Sequence, residues 1–331
     1  MQLVRFTRFG GPEVLELAGA PLPLPGPGQV RVRLTAAAVN HADLALIAGS
    51  YPLRPRLPAT PGLEGAGWVE AVGPGVTEAH LGERVILPLG AAAGQGTWRE
   101  AVVVPADFLL PTPPTLTDEQ AGGLWVSYLT AWALLTTDWG EAPGPALATA
   151  AGSSVGLALG QLARLLGREL VGLVRRPELA PWLLTQGYQR VMVAEAASAD
   201  FREERERYPL VLDAVGGPGV AALLRVLAPG GVLVLYGTLD PAATGFAGPE
   251  LLFGEKQLVG FWLNRWLGRV SAEELEAAYA TLLGWFASGD LQPRVERMFP
   301  LAEVRTACQA LLRPGRRGKI LLRPTPAGQG P

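Results

Sequence analysis

Apolar and polar positions follow different patterns in the two halves of the chain. In the first half, short apolar-rich runs are separated by glycine and proline turns such as Gly73-Pro74-Gly75, which favours antiparallel strands that form a compact barrel. The predicted strands of this half are Val4–Phe9, Val14–Leu17, Val30–Val39, Gly67–Val72, Arg84–Pro88 and Trp98–Val104.

From Ala146 onward, strand-like runs alternate with helical patterns. Ala146-Leu147-Ala148, a turn of small residues, Leu157–Leu166 at helical spacing and Leu170–Val174 predict strand, turn, helix and strand. Further strands are predicted at Leu210–Ala214, Gly231–Tyr236 and Gln257–Trp262. Thr117 with Gln120 predicts a capping box for a helix that runs into Gly122–Leu135, and a second helix is predicted at Ala272–Ala287. This alternation predicts an α/β fold with a doubly wound parallel sheet of the Rossmann type.

The strand, helix and closing strand within Phe299–Arg323 are expected to return to the first domain. We therefore expect a barrel-containing domain of residues 1–114, completed by 288–331, and a nucleotide-binding domain of residues 115–287.

The turn after Ala148 contains the first candidate binding residues. Gly152, Gly156 and Gly160 recur at intervals of four, and the helix that follows begins near Ser153, Ser154 and Val155. A helix N-terminus attracts phosphate because its first amides lack partners and the helix dipole adds positive charge. The turn therefore predicts a pyrophosphate cradle, although a glycine-rich turn is also compatible with a purely structural role.

Two arginines follow the second strand of this unit, about 20 residues beyond Gly156. At that place an NAD-binding sheet has a carboxylate for the ribose hydroxyls, whereas this chain has Arg175 and Arg176. Guanidinium groups there suit a 2′-phosphate, which predicts NADPH as the cofactor. The alternative is a solvated strand end.

Composition narrows the function classes. The chain has 331 residues, 49% of them hydrophobic and 18% charged, and a formal net charge of −2. It therefore lacks the basic field that nucleic-acid binding requires. No apolar run reaches membrane-spanning length and Met1–Gly10 has no apolar signal core, so we expect a cytoplasmic protein. The single cysteine, Cys308, is expected to be a packed thiol.

The order of domains resembles that of the medium-chain dehydrogenases/reductases, whose first domain is GroES-like. Where the zinc alcohol dehydrogenases have Cys-His-x-x-Asp and Gly-His-Glu, this chain has Asn40-His41-Ala42-Asp43 and Gly62-Leu63-Glu64. Asn40 and Leu63 thus replace two ligands. The structural four-cysteine lobe is also missing, and one cysteine with two histidines does not make a tetrahedral N/S site. The resemblance therefore implies a zinc-free branch, in which His41 and His80 are surface or loop residues.

Within that branch, the chain resembles the mitochondrial-type trans-2-enoyl-thioester reductases and, next, the zeta-crystallin-like quinone oxidoreductases. The Gly260–Trp266 segment is similar to an enoyl-reductase hallmark, in which a Phe-Trp-Leu strand lies by the nicotinamide and the subunit interface. The alternative interpretation is a core strand. The resemblance implies cofactor contacts from Ser127, Thr130, Tyr236, Gly237, Thr238, Phe261, Trp262, Leu263 and Lys319, besides the phosphate turn and the two arginines.

By the same resemblance, Tyr51 of Gly49-Ser50-Tyr51 is the candidate proton donor, and Asn40 is expected to orient the nicotinamide or the substrate carbonyl. A phenol retains its proton at neutral pH, as a general acid must. The expected activity is NADPH-dependent reduction of 2-enoyl thioesters by a homodimer joined around Leu258–Leu263. Quinone reduction and a non-catalytic, NADPH-binding structural or regulatory role remain alternatives.

Overall fold

The computed structural model describes residues 1–77, 80–88, 95–196 and 201–324. Its strands are β1 (Gln2–Arg5), β2 (Glu16–Gly19), β3 (Gln29–Val39), β4 (Gly65–Val72), β5 (Arg84–Leu87), β6 (Ala101–Pro105), β7 (Leu110–Pro111), β8 (Ala146–Ala148), β9 (Leu170–Val174), β10 (Arg190–Val193), β11 (Tyr208–Asp213), β12 (Leu227–Leu235), β13 (Gln257–Gly260), β14 (Val295–Pro300) and β15 (Lys319–Arg323).

The helices are α1 (His41–Ala48), α2 (Asp118–Ala121), α3 (Trp125–Thr136), α4 (Ser154–Leu165), α5 (Ala180–Thr185), α6 (Val220–Val226), α7 (Gly248–Leu252), α8 (Leu263–Leu267), α9 (Ala272–Ser288) and α10 (Val304–Leu312). None of these helices combines the length and apolar character that a membrane crossing needs.

The chain divides into two compact units. Unit 1 is Met1–Ser127 together with the chain from Thr281, and unit 2 is Tyr128–Ala280. The chain thus passes from one unit to the other within α3 and again within α9. The sequence pattern predicts the domain boundaries elsewhere, at residues 114/115 and 287/288.

Unit 1 contains a seven-stranded sheet with the order β14-β15-β3-β4-β5-β7, and β6 also pairs with β3. β15 joins β3 in antiparallel register, so the C-terminal strand completes this unit as expected. One apolar core packs α1 and α10 against β3 and β15, with Trp98, Phe299 and Cys308 fully or almost fully buried. Cys308 is therefore a packed thiol, as expected.

Unit 2 contains six parallel strands in the order β10-β9-β8-β11-β12-β13. β8 is the first strand in sequence, with the second and third on one side and the fourth to sixth on the other. This is the doubly wound order of dinucleotide-binding sheets, and ligands bind such sheets at the carboxyl ends of β8 and β11, where the strand order reverses. The predicted fold class is confirmed.

Several predicted elements are displaced. The first hairpin pairs Gln2–Arg5 with Glu16–Gly19 rather than Val4–Phe9 with Val14–Leu17. The single helix predicted from Thr117 into Gly122–Leu135 is two helices: Thr117 and Gln120 form the expected capping box for α2, and α3 starts only at Trp125.

The predicted strand Gln257–Trp262 is wrong at its end. β13 stops at Gly260, where its pairing with Leu235 of β12 ends, and Trp262 is the N-cap of α8. Phe261 still donates its amide to the carbonyl of Leu235 at 2.8 Å. Phe261-Trp262-Leu263 is therefore a strand-to-helix corner rather than a strand.

Candidate active site

The predicted phosphate turn of unit 2 ends at a capped helix N-terminus. Ser153 is the N-cap of α4, and its Oγ accepts the Gly156 amide at 3.0 Å. The helix begins at Ser154, so its first amides have no acceptor within the helix. Gly152, Ser153, Ser154 and Val155 are only partly buried, which leaves this N-terminus accessible to a ligand.

After β8 and after β12, the chain leaves no room for a side chain at Gly156 or at Gly237. A Cβ on Gly156 would lie 2.4 Å from the Ala151 carbonyl oxygen, and one on Gly237 would lie 2.6 Å from that of Ala214. Ala150 has φ 48°, a left-handed conformation that a residue with a side chain rarely adopts. The backbone of the turn therefore packs closely against the end of the sheet.

Asp213 joins the carboxyl ends of β8 and β11, and sequence reasoning missed this residue. Its Oδ1 accepts the Thr149 hydroxyl at 2.6 Å and the Val215 amide at 3.0 Å, and its Oδ2 accepts the Gly216 amide at 3.0 Å. Burial raises the pKa of this carboxyl, and its three hydrogen bonds oppose that shift. The signal in the sequence was a lone carboxylate at the end of an apolar strand, directly before a glycine turn.

Two tyrosines extend this arrangement in unit 2. Tyr188 donates its hydroxyl to the Gly156 carbonyl at 2.7 Å, which links the loop before β10 to the phosphate turn. The hydroxyl of Tyr236, at the end of β12, is buried and has no hydrogen-bond partner among the described residues. A buried unpaired hydroxyl costs free energy, so its presence beside the binding edge of the sheet fits a ligand that supplies the partner. Thr238, two residues on, is exposed.

Arg175 and Arg176 directly follow β9. Arg175 Nη1 lies 4.0 Å from Glu195 Oε1 and Arg176 Nε lies 3.9 Å from Glu178 Oε1, with the two arginine side chains 71% and 37% exposed. Such loose, exposed pairs contribute little to stability. Both guanidinium groups are therefore available to a phosphate, and the residues of this unit fit a dinucleotide that carries one.

Unit 1 contains a buried polar network around Glu64, a residue that the sequence analysis did not include as a site residue. Glu64 Oε1 accepts Asn40 Nδ2 at 3.0 Å and lies 3.1 Å from Lys319 Nζ, and Oε2 accepts the Val126 amide at 2.9 Å. Lys319 Nζ also donates to Ser127 Oγ at 2.8 Å. Glu64 and Lys319 are 1% and 5% exposed. The network joins the N-cap of α1, the segment before β4, α3 and β15.

Asp43 lies in the first turn of α1, beside this network. It is fully buried, and its Oδ2 accepts the Asn40 amide at 2.7 Å, while its Oδ1 has no partner among the described residues. Burial, and to a lesser extent the negative charge of Glu64, raise the pKa of Asp43 to about 7. The structure thus places a carboxyl that titrates near neutrality beside the Glu64 network.

The two predicted catalytic residues lie at different ends of α1. Asn40 is the N-cap of this helix, whereas Tyr51 follows its left-handed C-cap Gly49 and donates its amide to the Ala45 carbonyl at 3.1 Å. An eight-residue helix is about 12 Å long. Tyr51 is partly buried against the unit 1 core, and α1 lies between the two residues.

The remaining predicted contact residues occupy several places. Ser127 is buried in unit 1 and holds Lys319, so both side chains have protein partners that the sequence did not reveal. In unit 2, Thr130 is buried on α3, and Phe261 packs edge-on against Trp139 with ring centroids 6.2 Å apart. Trp262 and Leu263 are partly buried.

The residues at the former ligand positions do not fit a zinc ion. Asn40 donates to Glu64, Leu63 is buried in the apolar core, and Glu64 is paired with Lys319. The described residues include no cluster of three histidine, cysteine, aspartate or glutamate side chains suited to a metal. His41 is exposed and His80 partly buried, with its Nδ1 2.8 Å from Glu83 Oε2. The absence of bound zinc stays a prediction that elemental analysis of the purified protein tests.

Comparison with known proteins agrees with this arrangement. Residues 26–114 match the alcohol dehydrogenase GroES-like domain, and residues 187–322 match the zinc-binding dehydrogenase domain. The human mitochondrial enoyl-[acyl-carrier-protein] reductase is 32% identical over 311 residues, which cover 91% of this chain and 83% of that protein.

Two solved structures are also similar. The Escherichia coli quinone oxidoreductase complexed with NADPH has a TM-score of 0.84 at 28% identity, covering 98% of this chain and 100% of that one. The quinone oxidoreductase from Thermus thermophilus, determined alone and with NADPH, has a TM-score of 0.82 at 31% identity with the same coverage. The chain therefore belongs to the medium-chain dehydrogenase/reductase family and is an oxidoreductase.

Proposed function

We propose that this protein is an NADPH-dependent, zinc-independent reductase of activated carbon–carbon double bonds, with 2-enoyl thioesters as its substrates. The observation that carries the proposal is the cofactor cradle of unit 2, which consists of the capped N-terminus of α4 and the exposed Arg175 and Arg176. These two parts follow the neighbouring parallel strands β8 and β9. The human mitochondrial reductase supports the choice of thioester, and the NADPH-bound structures support the cofactor.

Different residues of the cradle bind different phosphate groups of the cofactor. The free amides at Ser154 and Val155 hold the pyrophosphate, and the two arginines hold the 2′-phosphate by charge-assisted hydrogen bonds. Tyr236 gains its missing hydrogen-bond partner from the same ligand. Once bound, NADPH supplies the hydride that reaches the β-carbon of the substrate.

In this proposal, Tyr51 completes the reduction by donating its hydroxyl proton to the α-carbon, and water then returns a proton to the phenolate. The double bond becomes a single bond that carries one hydride and one proton. Asn40 orients the carboxamide of the nicotinamide or the substrate carbonyl. Glu64 fixes the plane of the Asn40 amide by accepting a hydrogen bond from its Nδ2. Lys319 balances the charge of Glu64 in place of a metal ion.

The quinone oxidoreductases with TM-scores of 0.84 and 0.82 make quinone reduction the second candidate. An NADPH oxidation assay with crotonyl-CoA and a small quinone separates the two activities. We expect turnover of the thioester. Turnover of the quinone alone would show that the protein is a quinone reductase. Tight NADPH binding without turnover of the thioester or the quinone would indicate a non-catalytic role.

A further inference from the structure

Unit 1 has a concave site that the proposed reaction does not use. It is a cleft of about 680 Å³ beside β1, the end of β2 and the loop that follows Tyr51. No carboxylate occurs among the described residues that line it, whereas four arginines do: Arg5, Arg54, Arg56 and Arg99.

Arg99 is the unusual member of this group. It is only 8% exposed, and its Nε is buried without a hydrogen-bond acceptor among the described residues. Its Nη1 reaches only the neutral side chain of Gln95, at 3.4 Å. Burial lowers the pKa of this guanidinium to about 10, so the group is still charged at neutral pH. A buried cation without a counter-charge is costly, which favours an anion that the protein itself does not provide.

The other three arginines leave their charge open to the cleft. Arg54 and Arg56 are exposed on the loop after α1, and Arg54 is held there by the Gly49 carbonyl at 3.0 Å. Arg5 has only a loose, exposed pair with Glu16 at 3.6 Å. Arg56 has no ion pair with a carboxylate of the described chain. Pro55 and Pro58 lie in the same loop and restrict its backbone, which lowers the conformational entropy that the loop loses when a ligand binds.

We propose that this cleft binds a phosphate ester, with Arg99 as the buried anchor and Arg5, Arg54 and Arg56 around it. Guanidinium groups match phosphate geometry with paired hydrogen bonds, and four of them suit a ligand with several negative charges better than a single carboxylate. The volume suits a nucleotide-sized molecule. Leu3 and Leu53 provide apolar contact for its organic part.

Calorimetric titration of the full chain tests the proposal, with inorganic pyrophosphate as the probe. The protein is first saturated with NADPH so that the cradle of unit 2 is filled. We expect one saturable site per chain that weakens as salt is raised. Arg99→Met and Arg56→Ala should each weaken it by about tenfold or more, because each removes a charge-assisted contact.

Three controls keep the result interpretable. Arg313→Ala, an exposed arginine of the same unit outside the cleft, should leave the affinity unchanged. A variant with Arg175→Ala and Arg176→Ala should still bind the probe, because its defect lies in the other unit. Arg56 is exposed, so its variant folds even if Arg99→Met does not. Absence of saturable binding, or equal affinity in Arg56→Ala and the wild type, would overturn the proposal.

A second probe identifies the source of the phosphate. Adenosine bisphosphate, the nucleotide end of coenzyme A, replaces pyrophosphate in the same titrations. If adenosine bisphosphate binds more tightly than pyrophosphate, and Arg56→Ala abolishes this difference, the cleft binds the carrier end of a thioester substrate. This interpretation rests on the proposed function. Equal affinity assigns it to a free phosphate compound. In either case NADPH oxidation with crotonyl-CoA tests the reductase itself separately.

Discussion

At the scale of residues, the most informative feature is the pairing of Glu64 with Lys319. The sequence presents Glu64 only as the end of a Gly-Leu-Glu segment, and the family resemblance predicts that Lys319 reaches the cofactor. Their contact at 3.1 Å joins positions 255 residues apart (319 − 64), which no local pattern reveals. The replacement of two ligands by Asn40 and Leu63 was, in contrast, directly visible in the sequence. Local chemistry was therefore predictable, and the partner of each buried charge was not.

Asp43 gives a prediction for the pH dependence of stability. Its pKa is about 7 in the folded protein, against 3.8 for an unburied aspartate. Between pH 3.8 and pH 7, the folded state therefore holds a proton that the unfolded chain has lost. The stability from this group is complete below pH 4 and lost as pH rises through 7. Asp43→Asn should remove this loss, which is about 4 kcal/mol at most.

Urea unfolding of both proteins at pH 5 and pH 8 measures the effect. The free energy of unfolding should fall more between these values in the wild type than in Asp43→Asn, while Asp107→Asn, an exposed aspartate of the same unit, should follow the wild type. A parallel fall in wild type and Asp43→Asn would show that Asp43 is ionised throughout.

Arg175 and Arg176 give a prediction for cofactor choice. Their charge-assisted contacts with a 2′-phosphate should contribute about 1.5–3 kcal/mol, or roughly ten- to a hundred-fold in favour of NADPH over NADH. Fluorescence titration with both cofactors measures this preference. It should disappear in the double alanine variant, whose NADH affinity should stay near that of the wild type. Equal affinity of the wild type for both cofactors would contradict the assignment.

At the scale of elements, prediction succeeded where local signals agreed. β8, the turn, α4 and β9 follow from apolar runs, an N-cap serine and glycines at positions with no room for a Cβ. It failed at Phe261-Trp262-Leu263, because large aromatic residues favour strands but the neighbouring strand β12 offers no partner beyond Leu235. Strand ends depend on the length of the neighbouring strand, which the segment itself does not encode.

The edge of the unit 2 sheet predicts an assembly. β13 pairs only with β12 within the described chain, so one side of its backbone lacks hydrogen-bond partners, and Leu258 and Val259 are partly buried. An edge strand of this kind is stable when paired with a symmetry mate. We expect a homodimer through Gln257–Gly260, shorter than the Leu258–Leu263 segment that the sequence suggested at its C-terminal end.

Light scattering at micromolar concentration tests the assembly. The wild type should have the mass of two chains, and Val259→Arg should shift it toward one. The matched variant is Val193→Arg at the opposite edge strand β10, where the side chain is 45% exposed, and it should remain dimeric. A monomeric wild type, or a dimer that Val259→Arg leaves intact, would remove this interface.

At the scale of the whole molecule, the fold class and the family follow from the sequence, because the order of β-rich, alternating and returning segments is a property of the entire chain. The catalytic geometry does not follow. The family resemblance assigns both Asn40 and Tyr51 to the chemistry, and the structure places them at the two ends of α1. The role of Tyr51 in the chemistry is therefore the subject of the most direct measurement.

That measurement is kcat/KM for crotonyl-CoA and for a small quinone, in the wild type, in Tyr51→Phe and in the control Tyr279→Phe on α9. A carbon acid needs a placed proton donor, whereas a reduced quinone takes its protons on oxygen from water. Tyr51→Phe should therefore lose roughly 10²–10⁴-fold with the thioester, keep most of any quinone activity and bind NADPH normally. Tyr279→Phe should match the wild type. Undiminished thioester reduction by Tyr51→Phe, or a wild type that reduces only quinones, would contradict the account.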